Sequence, residues 1–159
     1  ADPATGVYPS TAPIAILRRT NPLEAIDRFD FRQRTSRYIG DLQVNLTPLA
    51  DLSVDYVFGV DASTQLGTGF IPVGNTTPTF NNGFSRRADR TVLLLNNDLT
   101  ITYKKKIKAI ELTTSIGGTV QYEDVKSTSL QGTDLVPIGQ TVNNAATIVA
   151  SEFRSQRSL

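Results

Sequence analysis

The 159-residue chain contains no cysteine, histidine, methionine or tryptophan. Without cysteine it has neither a disulfide framework nor a thiolate that could bind a metal or attack a substrate. Without histidine it lacks the side chain that most often serves as a general base or transition-metal ligand. It also lacks the Gly-x-Ser-x-Gly and P-loop spacings. These absences argue against an enzyme, and we expect neither a cofactor nor a metal site.

Charge and long apolar runs are also scarce. The 16 basic and 15 acidic side chains leave a net charge of +1, which argues against a nucleic-acid partner. The sequence contains no run of 18 apolar residues, so it predicts no transmembrane helix. Strands that cross a membrane escape this test, because only every second residue of such a strand contacts lipid.

Two segments alternate between apolar and polar side chains, which predicts strands with one apolar face. Residues 35–61 predict a hairpin with a turn at 48–51, and residues 92–123 predict a second hairpin with a turn at 104–108. The apolar positions of the four predicted strands are Tyr38, Leu42, Val44 and Leu46; Leu52, Val54, Tyr56, Phe58 and Val60; Leu93, Leu95, Leu99, Ile101 and Tyr103; and Ile110, Leu112, Ile116, Val120 and Tyr122.

The remaining segments lack this alternation and are predicted as loops of a single segment, residues 1–159. Residues 1–34 are proline-rich and predict an extended loop. Residues 62–91 are rich in glycine, threonine and asparagine and predict a long loop. Residues 124–159 predict another loop, with a short helical turn at 144–150.

Alternation alone fits both a soluble β-sandwich and a membrane barrel. Three features favour the barrel: short turns alternate with long loops, the strands reach about ten residues, and tyrosines lie toward the ends of apolar faces. We therefore predict an all-β fold of antiparallel strands in consecutive hairpins, part of a larger transmembrane β-barrel with long outer loops. A soluble β-rich cell-surface binding or adhesion module remains the alternative.

Closure of such a barrel needs more strands than the sequence predicts. The smallest membrane barrels have about eight strands, and lipid does not tolerate an unpaired sheet edge. A chain without methionine is also not an intact primary translation product. We therefore expect a fragment, a processed product or a partial chain, whose partner is the remainder of the same barrel.

Several short motifs occur in a recognisable order: Asn21-Pro22-Leu23, then Arg37-Tyr38-Ile39-Gly40, Leu49–Val54, Phe58–Asp61 and Thr114–Glu123. Over roughly residues 15–159 this order resembles the barrel of SusC/RagA-type TonB-dependent outer-membrane transporters of Bacteroidetes. The resemblance implies import of glycans, peptides or similar large nutrients, energised by TonB and assisted by a SusD-like surface lipoprotein. The plug domain and TonB box of that family are not among these residues, and the sequence does not name the cargo.

The predicted strand faces indicate which residues contact the lumen, a ligand or lipid. Asp55 and Asp61 lie on one strand face and are predicted to point into the lumen, where a solvated wall is favoured over a ligand contact. Leu112, Ile116 and Val120 are predicted to face outer-membrane lipid.

Two basic clusters and several loops with Asp and Asn side chains are further candidates for binding sites. Arg86-Arg87-Ala88-Asp89-Arg90 favours a solvated loop edge over contact with lipid headgroups. Lys104, Lys105, Lys106 and Lys108 favour a solvated turn, because a nucleic-acid patch needs more cationic or aromatic area. A calcium site is disfavoured, since no Asp-x-Asp-x-Asp-Gly pattern occurs.

Overall fold

The computed structural model describes residues 6, 20–137, 139 and 141–159. In this part of the chain one helix precedes five strands: α1 (Pro22–Arg28), β1 (Asp30–Leu49), β2 (Leu52–Val73), β3 (Asn82–Ile107), β4 (Ile110–Leu135) and β5 (Ala145–Ser158). The strands are antiparallel and form one sheet in the order β1-β2-β3-β4-β5. Each strand therefore pairs with its neighbour in sequence, which confirms the all-β prediction of consecutive hairpins.

Helix α1 lies where the sequence predicted an extended loop, at residues 1–34, so that prediction is wrong for α1 and for the start of β1. The Asn21 side chain accepts a hydrogen bond from the Leu23 amide at 3.0 Å, and Pro22 follows at the first helical position. An asparagine cap followed by proline starts a helix, because proline lacks only a donor that would be unpaired there anyway. Residues 1–5 and 7–19 of the predicted loop lie outside the described residues.

The predicted long loop at 62–91 is mostly strand, because β2 continues to Val73 and β3 begins at Asn82. Only residues 74–81 lie between these strands. Alternation of apolar and polar residues occurs only when the two faces of a strand differ in polarity. A strand whose faces do not differ still pairs through its backbone, but the sequence pattern does not predict it. Gly74 and Gly83 flank the real turn, with φ values of 73° and 86° that favour glycine.

The predicted loop at 124–159 is also wrong over most of its length. β4 continues to Leu135, and β5 occupies Ala145–Ser158. The helical turn predicted at 144–150 is replaced by a short 3-10 turn, Val142–Asn144, and the start of β5. The β-branched run Thr147-Ile148-Val149 explains this outcome, since such side chains favour strand. Residues 138 and 140 lie outside the described part.

The two predicted short turns exist but are tighter than expected. β1 and β2 are joined by Ala50-Asp51, and β3 and β4 by Lys108-Ala109. Lys108 adopts a positive φ of 56°. Most of the predicted turn at 104–108 is therefore paired strand, as the hydrogen bond from the Lys104 amide to the Asp51 carbonyl at 2.7 Å illustrates.

Contacts divide the chain into two compact units. Unit 1 comprises Ala1–Thr35, Gln65–Arg90 and Ser127–Phe153; unit 2 comprises Ser36–Thr64, Thr91–Lys126 and Arg154–Leu159. The described part of unit 1 has a small core in which Ile71, Phe84 and Leu135 are buried. In unit 2, which is described throughout, no residue is buried. Unit 2 is therefore sheet without a hydrophobic core.

Candidate functional site

Side-chain contacts between β1 and β2 define one polar surface of unit 2. Arg37 donates to both carboxylate oxygens of Asp61, at 2.9 and 2.5 Å. Further along the same pair of strands, the Asn45 amide donates to the Asp55 carboxylate. Alternate residues of a strand point to the same side of the sheet, so Asp55 and Asp61 share a face, as the sequence predicted.

Polar contacts also join β3 and β4 in unit 2. The hydroxyls of Thr102 and Ser115 lie 3.0 Å apart, and the Thr119 hydroxyl donates to Asp98 at 2.5 Å. These pairs fix the register of the hairpin and place even-numbered residues of β3 beside odd-numbered residues of β4.

The two polar hairpin surfaces form one face. A Cβ added to Gly59 of β2 would lie 3.7 Å from the Asn96 Cβ of β3. Gly59 alternates in phase with Asp55, and Asn96 with Asp98, so the hydrogen-bonded polar side chains described for the two hairpins lie on one side of the sheet. We call this the polar face; it carries Arg37, Asn45, Asp55, Asp61, Asn96, Asp98, Thr102, Ser115 and Thr119.

The opposite side of unit 2 is the apolar face. A Cβ added to Gly40 would lie 3.9 Å from Val60, and the Tyr56 hydroxyl donates to Asn97 at 2.7 Å. Ile116 is 70% exposed, and Leu112 and Val120 are 52% and 58% exposed. The large exposed side chains of this face are Tyr38, Leu42, Leu46, Leu99, Tyr103, Ile107, Ile110, Leu112, Ile116 and Val120.

Ion pairs lie toward both ends of the apolar face. Beyond Tyr122, the Asp124 carboxylate contacts Arg154 at 3.5 Å and Lys126 at 3.4 Å. Burial opposes ionisation of Asp124, but hydrogen bonds from the two cations outweigh it and lower its pKa. At the turn end, Lys105 contacts Asp51 at 3.1 Å, a hydrogen bond that raises the pKa of Lys105. Most apolar side chains of this face lie between these charged groups, while Ile107 and Ile110 lie beyond Lys105 toward the turn.

Asp55 and Asp61, the predicted lumen or ligand contacts, lie apart from each other. The residues lie six positions apart on β2, or about 20 Å, and each contacts a different side chain of β1. The hydrogen bond from Arg37 lowers the pKa of Asp61, so this carboxylate remains ionised at neutral pH. Sequence reasoning missed Arg37, because pairing it with Asp61 requires the register of β1 against β2.

Unit 1 contains a buried carboxylate that sequence reasoning also missed. The Glu24 side chain of α1 is 1% exposed and contacts Arg28 at 2.8 Å. It accepts hydrogen bonds from the Thr76 amide at 2.8 Å and the Thr76 hydroxyl at 2.5 Å. Arg28 in turn donates to the Val73 carbonyl at 3.3 Å. Glu24 therefore fastens α1 to the turn that follows β2.

The basic cluster 86–90 lies in β3 rather than in a loop, as do Lys104, Lys105 and Lys106, whereas Lys108 lies in the turn that follows. Arg87 of β3 pairs with Asp89 at 3.0 Å. Within the described ranges, no group of three or more acidic, histidine or cysteine side chains is placed to hold a metal ion. None of the helices in the described residues combines the length and apolar character needed to cross a membrane.

The sequence matches no known family and no curated protein. The strand arrangement is similar to part of the RagAB peptide importer in its "closed-closed" state, with a TM-score of 0.63 and 15% identity over 83% of this chain and 15% of that chain. A second structure, of the RagAB peptide transporter, gives a TM-score of 0.57 and 17% identity over 86% of this chain and 16% of that chain. This chain thus spans 15% to 16% of the transporter chains it matches and shares their β-rich fold over that length.

Proposed function

We propose that this chain forms part of the β-barrel wall of a TonB-dependent outer-membrane transporter that imports large nutrients such as peptides or glycans. One observation carries the proposal. Unit 2 is sheet without a core, and its two faces differ: one exposes most of the large apolar side chains, and the other is hydrogen-bonded through charged and polar groups, with Ile39 as an exposed apolar exception. A barrel wall between lipid and a wet lumen requires this difference.

The height of the apolar band supports contact with a bilayer. On β4 the band runs from Ile110 to Tyr122, or about 40 Å at roughly 3.3 Å per residue. A strand tilt of about 40° reduces this to about 30 Å, the thickness of a hydrocarbon core. We assign residues 38–46, 52–60, 93–103 and 110–122 to the membrane.

The polar face then lines the lumen, with Asp55 and Asp61 as part of a solvated wall. A charged side chain is tolerated there because water continues to hydrate it. Asp61 already has an arginine partner, which favours a structural role over direct contact with cargo. This role needs no catalytic chemistry.

The two outer strands supply the attachment to the rest of the barrel. β1 and β5 each have only one neighbour in the described sheet. Unpaired backbone groups are very costly in hydrocarbon, so the remaining strands of the same protein must pair with these edges. In the assembled transporter, TonB and a SusD-like lipoprotein are the further partners that we propose.

The proposal also sets an orientation. We expect the turns at 50–51 and 108–109 to face the periplasm, and the connections at 74–81 and 136–144 to face outward. Protease added to intact cells is expected to cut only at the outward connections. Cleavage at the lysine-rich turn from outside would reverse the orientation.

Labelling of adjacent positions in the full-length protein tests the assignment of the faces. Ile116→Cys and Ser115→Cys lie at the same depth on opposite faces. A reagent confined to the bilayer is expected to label the first and not the second, and a water-soluble reagent admitted to the lumen should label only the second. Equal labelling of both by the lipid reagent, or a full-length protein that stays folded and monomeric without detergent, would favour the soluble surface module instead.

A further inference from the structure

Unit 1 contains a groove that the barrel architecture alone does not explain. Two adjoining hollows, of about 380 and 240 Å³, share Gln33 of β1, Gly67 of β2 and Ala88 of β3. The hollows follow one another along the strands. Gly67 and Ala88 carry little or no side chain, so the floor of the groove lies close to the backbone.

Aromatic rings bound one end of this groove. A Cβ added to Gly69 would lie 2.8 Å from Cε1 of Phe31 and 3.7 Å from Cε1 of Phe84. Only glycine therefore lets the Phe31 ring lie directly against β2. Phe84 is buried and packs against Phe80 with ring centroids 4.6 Å apart, whereas Phe31 is 62% exposed. The groove thus offers a fixed, open apolar surface at this end.

Two arginines without partners line the same groove. Arg86 lines the larger hollow and Arg90 the smaller one. Among the described residues neither forms an ion pair or a side-chain hydrogen bond, whereas Arg87 between them pairs with Asp89. Arg86 and Arg90 alternate in phase with Ala88, so both point to one side of β3, about 13 Å apart.

We infer that this groove binds an extended acidic peptide, with two carboxylates held by Arg86 and Arg90. In an extended chain, side chains four residues apart lie on the same side and about 13 Å apart, which matches the distance from residue 86 to residue 90 along β3. Arginine is the side chain best suited to a carboxylate, because its planar fork can donate two parallel hydrogen bonds.

A peptide fits the remaining groups better than a sugar acid. The side-chain amides of Gln33 and Gln65 both donate and accept, as peptide groups do. The low floor at Gly67 admits a backbone, and Phe31 offers a surface for an apolar side chain. The inference rests on the proposed transport function and deepens it, since it names the chemistry of a cargo.

Binding of matched peptides to the full-length protein in detergent tests the inference. The probe is a fluorescent nonapeptide of serine, threonine and valine with glutamate at positions 3 and 7; its control has glutamine at both positions. The acidic peptide is expected to bind at least tenfold more tightly. Arg86→Gln and Arg90→Gln should each weaken it by about tenfold, the effect of losing one charge-assisted hydrogen bond.

The matched control variant is Arg34→Gln, which removes a positive charge next to Gln33 in sequence from a residue that lines neither hollow. It should leave the affinity for the acidic peptide within twofold of the parent. Equal effects of all three variants would mean that general charge attracts the peptide, and the groove would be excluded. Equal affinity for the two peptides, or tighter binding of a galacturonic acid oligomer, would also overturn the inference. Bilayer labelling of position 116 is independent of these outcomes, so either proposal can fail alone.

Discussion

Replacement of Ile116 by arginine is the sharpest test of the membrane assignment. Ile116 lies at the midpoint of the apolar positions of β4, which run from Ile110 to Tyr122. If the band spans about 30 Å of hydrocarbon, Ile116 lies about 15 Å from either boundary. Even a fully extended arginine side chain is too short to place its charge in water from that depth.

The expected magnitude follows from this depth. Arginine on the lipid face at the midplane of a barrel costs about 2–4 kcal/mol. The adjacent variant Ser115→Arg has the same depth but lies on the polar face, where it loses an exposed contact of 3.0 Å with the Thr102 hydroxyl. Such a contact contributes about 0.5–1.5 kcal/mol. The two variants should therefore differ by at least about 0.5 kcal/mol in free energy of unfolding.

The measurement is reversible unfolding of the full-length protein by guanidinium in lipid vesicles. A soluble sandwich would also be destabilised by Ile116→Arg, so a third variant, Ile116→Phe, separates the two folds. An enlarged side chain costs about 1–3 kcal/mol in a packed protein core, whereas fluid lipid moves aside for it. We expect Ile116→Phe to unfold within about 0.5 kcal/mol of the parent in vesicles, which is the usual range for a substitution that disturbs no packing.

Two results would refute this reasoning. If Ser115→Arg is as destabilising as Ile116→Arg, the faces are reversed or both are packed against protein. If Ile116→Phe costs as much as overpacking a core, protein rather than lipid covers this face.

Two further predictions concern single side chains. Glu24→Ala should free the Thr76 amide from its acceptor, destabilise unit 1 by about 1–3 kcal/mol and speed hydrogen exchange at Thr76; unchanged exchange at Thr76 would contradict the role of Glu24. Asp61→Asn should alter the acid dependence of stability. Because Arg37 lowers the pKa of Asp61, the ion pair stabilises the fold above the ordinary carboxyl pKa of about 3.9 and is lost as the pH falls further. The unfolding midpoint of the parent should thus fall more steeply than that of the variant below about pH 4, and parallel curves would contradict the role of the pair.

The sequence predicted the fold class and both faces of unit 2 because the two faces there differ in polarity. Where Leu112, Ile116 and Val120 alternate with threonine, serine and glycine, period two is plain in the chain. The same strands continue into unit 1 without that contrast, at residues 62–73 for example. Backbone hydrogen bonds hold these parts of the strands in the sheet, and the side-chain pattern does not predict them.

The sequence predicts that Asp55 and Asp61 lie on one strand face, but it does not predict which side chain each one contacts. Asp55 and Asp61 share the polar face, yet their hydrogen bonds to Asn45 and Arg37 follow from strand register. Strand register is set by the pairing of two strands, and in a hairpin it depends on the exact length of the turn between them. The turn was predicted at 48–51 and is two residues long, so the sequence alone could not have identified these pairs.

The exposed apolar band itself argues against a free-standing soluble module. Fully burying one leucine or isoleucine side chain stabilises a fold by about 1.5–3 kcal/mol. Leu42, Leu46, Ile110, Leu112 and Ile116 are each more than half exposed. Leaving the exposed parts of these five uncovered forfeits about 5–9 kcal/mol, comparable with the whole stability of a typical domain. A second sheet, a partner protein or lipid could restore that stabilisation. Lipid accounts in addition for a band that is about one hydrocarbon core tall and whose central part lies between ion pairs, which a protein partner would not require.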